Sequence, residues 1–343
     1  MNIRVSLGLA MLLSSWALVA SGQQSGDAKA DGKRFLLTQA VRASSTEKDL
    51  NKAAVEGYRL VGTWYSGQLA SILERAPDSA PKPEYRCVDA YGIPDLDKEV
   101  KRASSEGFRL VPRTLTQMSA SSRGTVGQIR LVMERTPGSG GRYDYFVTST
   151  RQPQDAVGLS GGYTLAGMMT WGVGYVLIGE KPQMPAAVTE PVSSSMPSDR
   201  YRLVTGSPGA ELQAQLSTAA AAGFRVALSS TGSPAPLLIM EKTSEPSNPF
   251  EYLVVSGRDA RSMTTELNAA GAKGFRASPA VFALPSAVVM EKAPGFQGAH
   301  EYRILERMLR LSFGKDFVQV TADGWVPVGV SHGGEIMLLE KTR

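Results

Sequence analysis

The sequence predicts an α+β protein of six tandem β-α-β-β repeats, forming mixed sheets with helices packed on one face and arranged as two three-repeat lobes. Three observations predict it. A short string recurs around a glycine and an aromatic: Glu56-Gly57-Tyr58-Arg59-Leu60-Val61, Glu106-Gly107-Phe108-Arg109-Leu110-Val111, Ala222-Gly223-Phe224-Arg225-Val226, Lys273-Gly274-Phe275-Arg276 and Asp323-Gly324-Trp325-Val326. In five units an aromatic lies 22 residues upstream of that glycine: Phe35, Tyr85, Tyr201, Tyr252 and Tyr302. Downstream, an apolar run closes on an acid and a base, as in Ile72-Leu73-Glu74-Arg75, Val132-Met133-Glu134-Arg135 and Leu338-Leu339-Glu340-Lys341. Repetition at about this period is the signature of a repeat architecture.

Each unit opens on an aromatic-led strand such as Tyr85-Arg86-Cys87-Val88 or Tyr252-Leu253-Val254-Val255. The interval that follows carries a helical face: Leu50, Ala53, Ala54; Val100, Ala103; Leu216, Ala219, Ala220; Leu267, Ala270, Gly271; and, more loosely, Phe317 and Val320. The small residues place each helix close against a sheet, with Asn51, Lys52 and Glu56 on the outer face and Ser45-Thr46 and Ser262 as N-caps. The helix then ends at the structural corner, Gly57, Gly107, Gly162, Gly223, Gly274 or Gly324, because glycine takes the left-handed conformation without a Cβ clash. The aromatic after it starts a second strand, and a variable loop leads to the third. A right-handed crossover makes the first and second strands parallel and the third antiparallel to the second. The third unit departs, since Tyr145 is only 17 residues from Gly162; its helix is expected to be short or malformed.

The expected boundaries are a signal peptide at 1–22, a first lobe at 33–181 (units 33–75, 84–135 and 143–181), a Pro/Ser-rich linker at 182–198, and a second lobe at 199–343 (units 199–242, 250–292 and 300–343). The strings Ala54-Val55-Glu56-Gly57-Tyr58-Arg59-Leu60-Val61 and Asp323-Gly324-Trp325-Val326-Pro327-Val328 resemble the repeat of a small bacterial family of unknown function. Its members carry an aromatic strand, a helix ending Leu-x-x-x-Gly-x-Glu-Gly-Trp-Glu-Leu-Val and a closing strand ending in Lys or Arg. The likeness spans residues 33–343 as six divergent copies, with Arg where that family often has an acid after the aromatic, and with the third copy truncated. It implies the β-α-β-β fold and no chemistry.

Composition narrows the classes further. At 42% hydrophobic and 20% charged over 343 residues, the chain is neither disordered nor membrane-embedded. Arg4, the apolar stretch from Leu7 to Ala20 and the small Ala20-Ser21-Gly22 read as an export signal, and that stretch is too short to span a membrane. No lipid-anchor cysteine follows, so the expected location is periplasmic or secreted. The formal charge of +5 is small and scattered, which argues against a nucleic-acid partner. One cysteine allows no disulfide within the chain.

Candidate chemistry is sparse. Gly158-Leu159-Ser160-Gly161-Gly162 matches the nucleophile-elbow string, but that motif needs strand then helix, and here the order is reversed. Ser45-x-x-Lys48 lacks the companion motifs of serine-lysine enzymes. Cys87 aligns with Leu37, Val147, Leu203, Val254 and Ile304, so it reads as a small core hydrophobe. His300 and His332 belong to no motif, and no metal site and no cofactor are expected. The strand-end glutamates Glu74, Glu134, Glu180, Glu241, Glu291 and Glu340 occur once per unit, as a structural ion pair would and a catalytic acid would not. Arg59, Arg109, Arg225 and Arg276 form either a basic stripe for an acidic ligand or glycan, or partners for those glutamates. The reading is an exported, non-enzymatic binding module for a protein, glycan or acidic ligand. The alternatives are a hydrolase with its site between the lobes and an envelope structural protein.

Overall fold

A computed structural model describes residues 33–65, 68–118, 127–138, 141–152, 154, 162–172, 174–183, 200–230, 237–243, 249–279, 287–306, 313–331 and 336–343. The first unit is β1 (Phe35–Ala40), α1 (Ala43–Val55), β2 (Tyr58–Tyr65) and β3 (Leu69–Arg75). The second is β4 (Glu84–Ala90), α2 (Ile93–Ser105), β5 (Arg109–Leu110), a short β6 (Thr116–Met118) and β7 (Gln128–Arg135). The third is β8 (Arg142–Thr150), β9 (Thr164–Trp171) and β10 (Gly174–Gln183). Residues 155–161, where its shortened helix was expected, lie outside the described residues, as do Ser160, His332 and residues 184–199 of the linker region. The fourth unit is β11 (Tyr201–Thr205), α3 (Ala210–Ala221), β12 (Phe224–Ser229) and β13 (Leu237–Lys242). The fifth is β14 (Glu251–Ser256), α4 (Ala260–Gly271), β15 (Arg276–Ala277) and β16 (Ala287–Lys292). The sixth is β17 (His300–Glu306), α5 (Phe313–Ala322), β18 (Val326–Val330) and β19 (Ile336–Thr342).

Every unit forms its own sheet, with the third strand in the middle and antiparallel to both neighbours. First and second strands therefore run in the same direction without touching, as a helical crossover requires. All six corner glycines have left-handed φ between 80° and 90°. Four residues beyond the corner, Val61, Ala166, Ala227 and Val328 each interrupt the ladder as a bulge, which adds local twist to the second strand.

Sequence placed the buried helix faces well. Leu50, Ala53 and Ala54 of α1, and Leu216, Ala219 and Ala220 of α3, are all buried. The caps differ. Asp259, not Ser262, caps α4, with Ser262 completing a reciprocal box from N3. Thr46 sits inside α1 and donates from its hydroxyl to the Arg42 carbonyl. Asn51, expected in solvent, instead grips the free edge of the next unit's first strand: its amide donates to the Tyr85 carbonyl and its oxygen accepts from the Tyr85 N–H. Asn268 does the same to Tyr302, and Gln213 bridges Tyr252 and Val254. These amides satisfy edge groups that would otherwise invite another strand.

One unit of this size buries too little surface to stand alone, and the cores are accordingly shared. Leu50 and Tyr58 of the first unit pack with Tyr85 and Val132 of the second. Phe108 and Met133 pack with Tyr145 and Ile178 of the third. The two lobes expected on either side of the linker are themselves packed together at both ends. Met168 and Leu177 of the third unit share an interior with Tyr201 and Ile239 of the fourth, and Phe35 and Ile72 of the first share one with Phe313, Phe317 and Leu339 of the sixth. With the fourth-to-fifth and fifth-to-sixth clusters, every junction is filled and the interiors close into a cycle. Lys33–Arg343 is one compact body. Among the described residues no helix is long and apolar enough to cross a membrane.

The closeness of helix to neighbouring strand is tightest at Gly271, where a Cβ would sit 2.2 Å from the His300 carbonyl oxygen. Alanine is normally the better helix former by about 1 kcal/mol. Gly271→Ala is nevertheless expected to destabilise by about 1–3 kcal/mol in denaturant unfolding, because backbone must move. Gly314→Ala in α5, where a Cβ meets nothing within 4 Å, is expected to be neutral or stabilising.

Candidate functional site

The polar groups repeated in the sequence converge at the junctions between units. On the middle strand, the closing glutamate lies in register with the opening aromatic on one side and with the residue two after the corner on the other: Phe35 and Arg59 oppose Glu74, and Tyr85 and Arg109 oppose Glu134. Sheet register alone would pair each arginine within its own unit. Three of the four side chains, Arg59, Arg109 and Arg225, instead reach forward to the next one.

The second-to-third junction shows the full arrangement. Arg109 holds both carboxylate oxygens of Glu180, Nη2 to Oε1 at 2.6 Å and Nε to Oε2 at 3.2 Å. The Tyr145 hydroxyl accepts from the Leu110 N–H at 2.8 Å and donates to Glu180 Oε2 at 3.1 Å. The Glu180 bond holds the Arg109 guanidinium above its ordinary value. At the first-to-second junction Arg59 meets Glu134 at 2.9 Å, and at the fourth-to-fifth Arg225 meets Glu291 at 2.7 Å. In parallel, the Leu60 and Val226 N–H groups donate to the Tyr85 and Tyr252 hydroxyls. Burial pushes the Tyr85 hydroxyl up to about 12 and raises Tyr145, Tyr252 and Tyr302 further.

Where the pattern breaks, it is repaired locally. The third and sixth units carry Thr164 and Val326 where the others carry arginine. The glutamates that follow are met instead from the residue just before their own first strands: Arg200 binds Glu241 at 2.6 Å and Arg34 binds Glu74 at 2.8 Å. At the sixth-to-first junction Phe35 has no hydroxyl, and Pro327, at the position of Leu60 and Leu110, has no N–H to donate. Donor and acceptor are missing together. At the fifth-to-sixth junction Arg276 turns to Glu291 of its own unit at 2.9 Å, so that buried carboxylate takes two arginines and Ser278. Glu340 is left with the Tyr302 hydroxyl at 2.6 Å, the Ala277 N–H and His300, whose Nδ1 is 3.4 Å away.

The four arginines singled out from sequence therefore all hold strand-end glutamates. Sequence reasoning missed Arg34 and Arg200, although their signal was present: each directly precedes the opening aromatic of a unit whose predecessor lacks the corner arginine. It also missed the buried Arg130, which stands where other units have apolar residues such as Val176 and Leu237. Arg130 pairs with Asp89 and donates to the Val41 carbonyl of the first unit. Cys87 lines a cleft of about 370 Å³ with Glu47, Arg86, Asp89, Glu99 and Arg102. Burial pushes its thiol up to about 12, which removes the thiolate a nucleophile needs. Among the described residues, no three of His, Cys, Asp and Glu converge as metal ligands. No protein-family model and no curated protein matches the chain.

Two measurements check this account of the junctions. Glu291→Gln, which removes a fully buried charge from two arginines, is expected to cost about 2 kcal/mol, against less than about 1 kcal/mol for Glu74→Gln at its exposed pair. A junction tyrosine whose folded value lies above the ordinary 10.0 lends stability that is complete below pH 10 and lost as pH rises through the folded value, about 12 for Tyr85. Alkaline titration should therefore show tyrosinate absorbance and unfolding rising together in that window, and Tyr252→Phe should shrink the step.

Proposed function

We propose that the chain is an exported, non-enzymatic interaction scaffold whose second-to-third strand connections make the contacts. The observation that carries this reading is a contrast between two ends of each sheet. At the corner end, the same arginine, glutamate and tyrosine solution recurs from unit to unit and is consumed in holding units together. At the other end, the connections at 66–68, 119–127, 172–173, 230–236, 278–286 and 331–335 differ in length and sequence. Because all six sheets share one topology, these connections leave from the same end of every unit. Conserving the joint while varying the connection is how a rigid scaffold acquires a binding surface. The exposed Val41 and Tyr91, at the equivalent strand-to-helix turns of neighbouring units, add apolar surface to that end.

The export signal read at 1–22 and the resemblance to the β-α-β-β repeat family both suit an envelope or secreted scaffold. The partner class is a protein or glycan. An acidic ligand on the arginine stripe is disfavoured by the glutamates those arginines already hold.

Site-specific photocrosslinking in an expressing bacterium tests the proposal. A crosslinker at 120 or 282 should capture a discrete partner in the cell envelope, whereas one at Lys52, on the outer face of α1, should capture none. Equal capture from both positions would defeat it, as would an ester- or glycan-hydrolysing activity abolished by Ser160→Ala.

A further inference from the structure

At five corners the aromatic after the glycine lies under a cation. Arg75 stands over Tyr58 at 4.7 Å, Arg135 and Arg86 over Phe108 at 4.8 and 4.5 Å, and Lys181 over Tyr163 at 6.0 Å. Arg202 covers Phe224 at 4.5 Å and Lys292 covers Phe275 at 5.9 Å. In each case the cation comes from the residue after the strand-end glutamate or the residue after the opening aromatic. The sixth corner has both positions filled, by Lys341 and Arg303, and uses neither. Lys341 donates to the Asp323 carbonyl at 2.9 Å, and Arg303 is exposed. Among the described residues, no Lys or Arg stands over Trp325, although indole is the strongest cation-binding face of the three aromatic types.

The half-buried indole instead lines an open cleft of about 440 Å³ between the fifth and sixth units, with Asn268, Ala272, His300, Glu301 and Arg343. Its charged wall residues, Glu301 and Arg343, pair with each other, and what lies behind them is negative. Asn268 and Ala272 belong to the C-terminal end of α4, the negative end of the helix dipole. Glu301 lies on the cleft wall, and Glu340 sits behind His300. Arg343, the cation paired with Glu301, is 69% exposed and so is held weakly.

We propose that this cleft binds a small organic cation of the methylated-ammonium class, whose charge takes the place over Trp325 that lysine or arginine takes over the other corner aromatics. Methylated ammonium fits better than a bare amine because it is weakly hydrated and gives up its water readily against a single aromatic face. The inference stands apart from the loop-end proposal, since the cleft lies at the corner end of the sheets.

The test is titration of the full mature chain with tetramethylammonium and choline chlorides, read at the Trp325 indole N–H in heteronuclear spectra and by calorimetry. Sodium chloride and the neutral carbon analogue of choline serve as controls. Saturable binding in the millimolar range is expected for the two cations and not for the controls. Trp325→Leu should weaken it about 3- to 30-fold. Glu301→Gln, at a partly exposed position, should weaken it several-fold and decides the matter if the tryptophan variant does not fold. No saturable response at Trp325, or an equal response to the neutral analogue, would overturn the proposal.

Discussion

A carboxylate closes the middle strand of every sheet, and at five of the six it is held by an arginine, on which the joining of units depends. Glu291 and Glu180 are nearly withdrawn from water. A charge in such a place is costly unless it is paired and hydrogen-bonded. The preceding unit supplies what is needed: a guanidinium two residues past its corner, and an N–H one residue later that docks on the tyrosine beside the carboxylate. The corner glycine matters because it sets where those two groups emerge. Its left-handed turn ends the helix and starts the second strand at one fixed point, so arginine and amide arrive in the same place each time.

The departures show that the requirement falls on the carboxylate rather than on the arginine. When Thr164 and Val326 remove the incoming cation, Arg200 and Arg34 supply it from the glutamate's own unit. Loss of the Phe35 hydroxyl coincides with loss of the Pro327 N–H, so neither of these two positions leaves a donor or acceptor without its counterpart. Such paired loss is what a buried interface demands, since an unmatched donor or acceptor there costs more than the absence of both.

Closure follows from the same economy of surface. A linear array of these units leaves two faces uncovered, one at each end, and the usual remedy is a polar capping repeat. Here the first and last units cover one another through Phe35, Phe313 and Phe317, so neither needs such a cap. What remains free to vary is the end of each sheet away from the corners, together with the Trp325 corner, over which no Lys or Arg stands among the described residues.

Much of this was legible in the sequence because it is local. Helix faces follow from the spacing of Leu50, Ala53 and Ala54, corners from glycine's freedom at positive φ, and the unit count from the recurrence of an aromatic 22 residues before the corner. The glutamate–arginine pairing was also readable as a type of contact. The partner was not: Arg109 and Glu134 face each other in register, yet Arg109 binds Glu180 of the next unit. Nor could sequence show that Asn51 holds a neighbouring strand, that the third and fourth units pack across the linker, or that the sixth returns to the first. Spacing along a chain fixes what one unit can form. Which unit lies against which is decided by where buried surface and buried charge are jointly satisfied, and only the tertiary structure contains that answer.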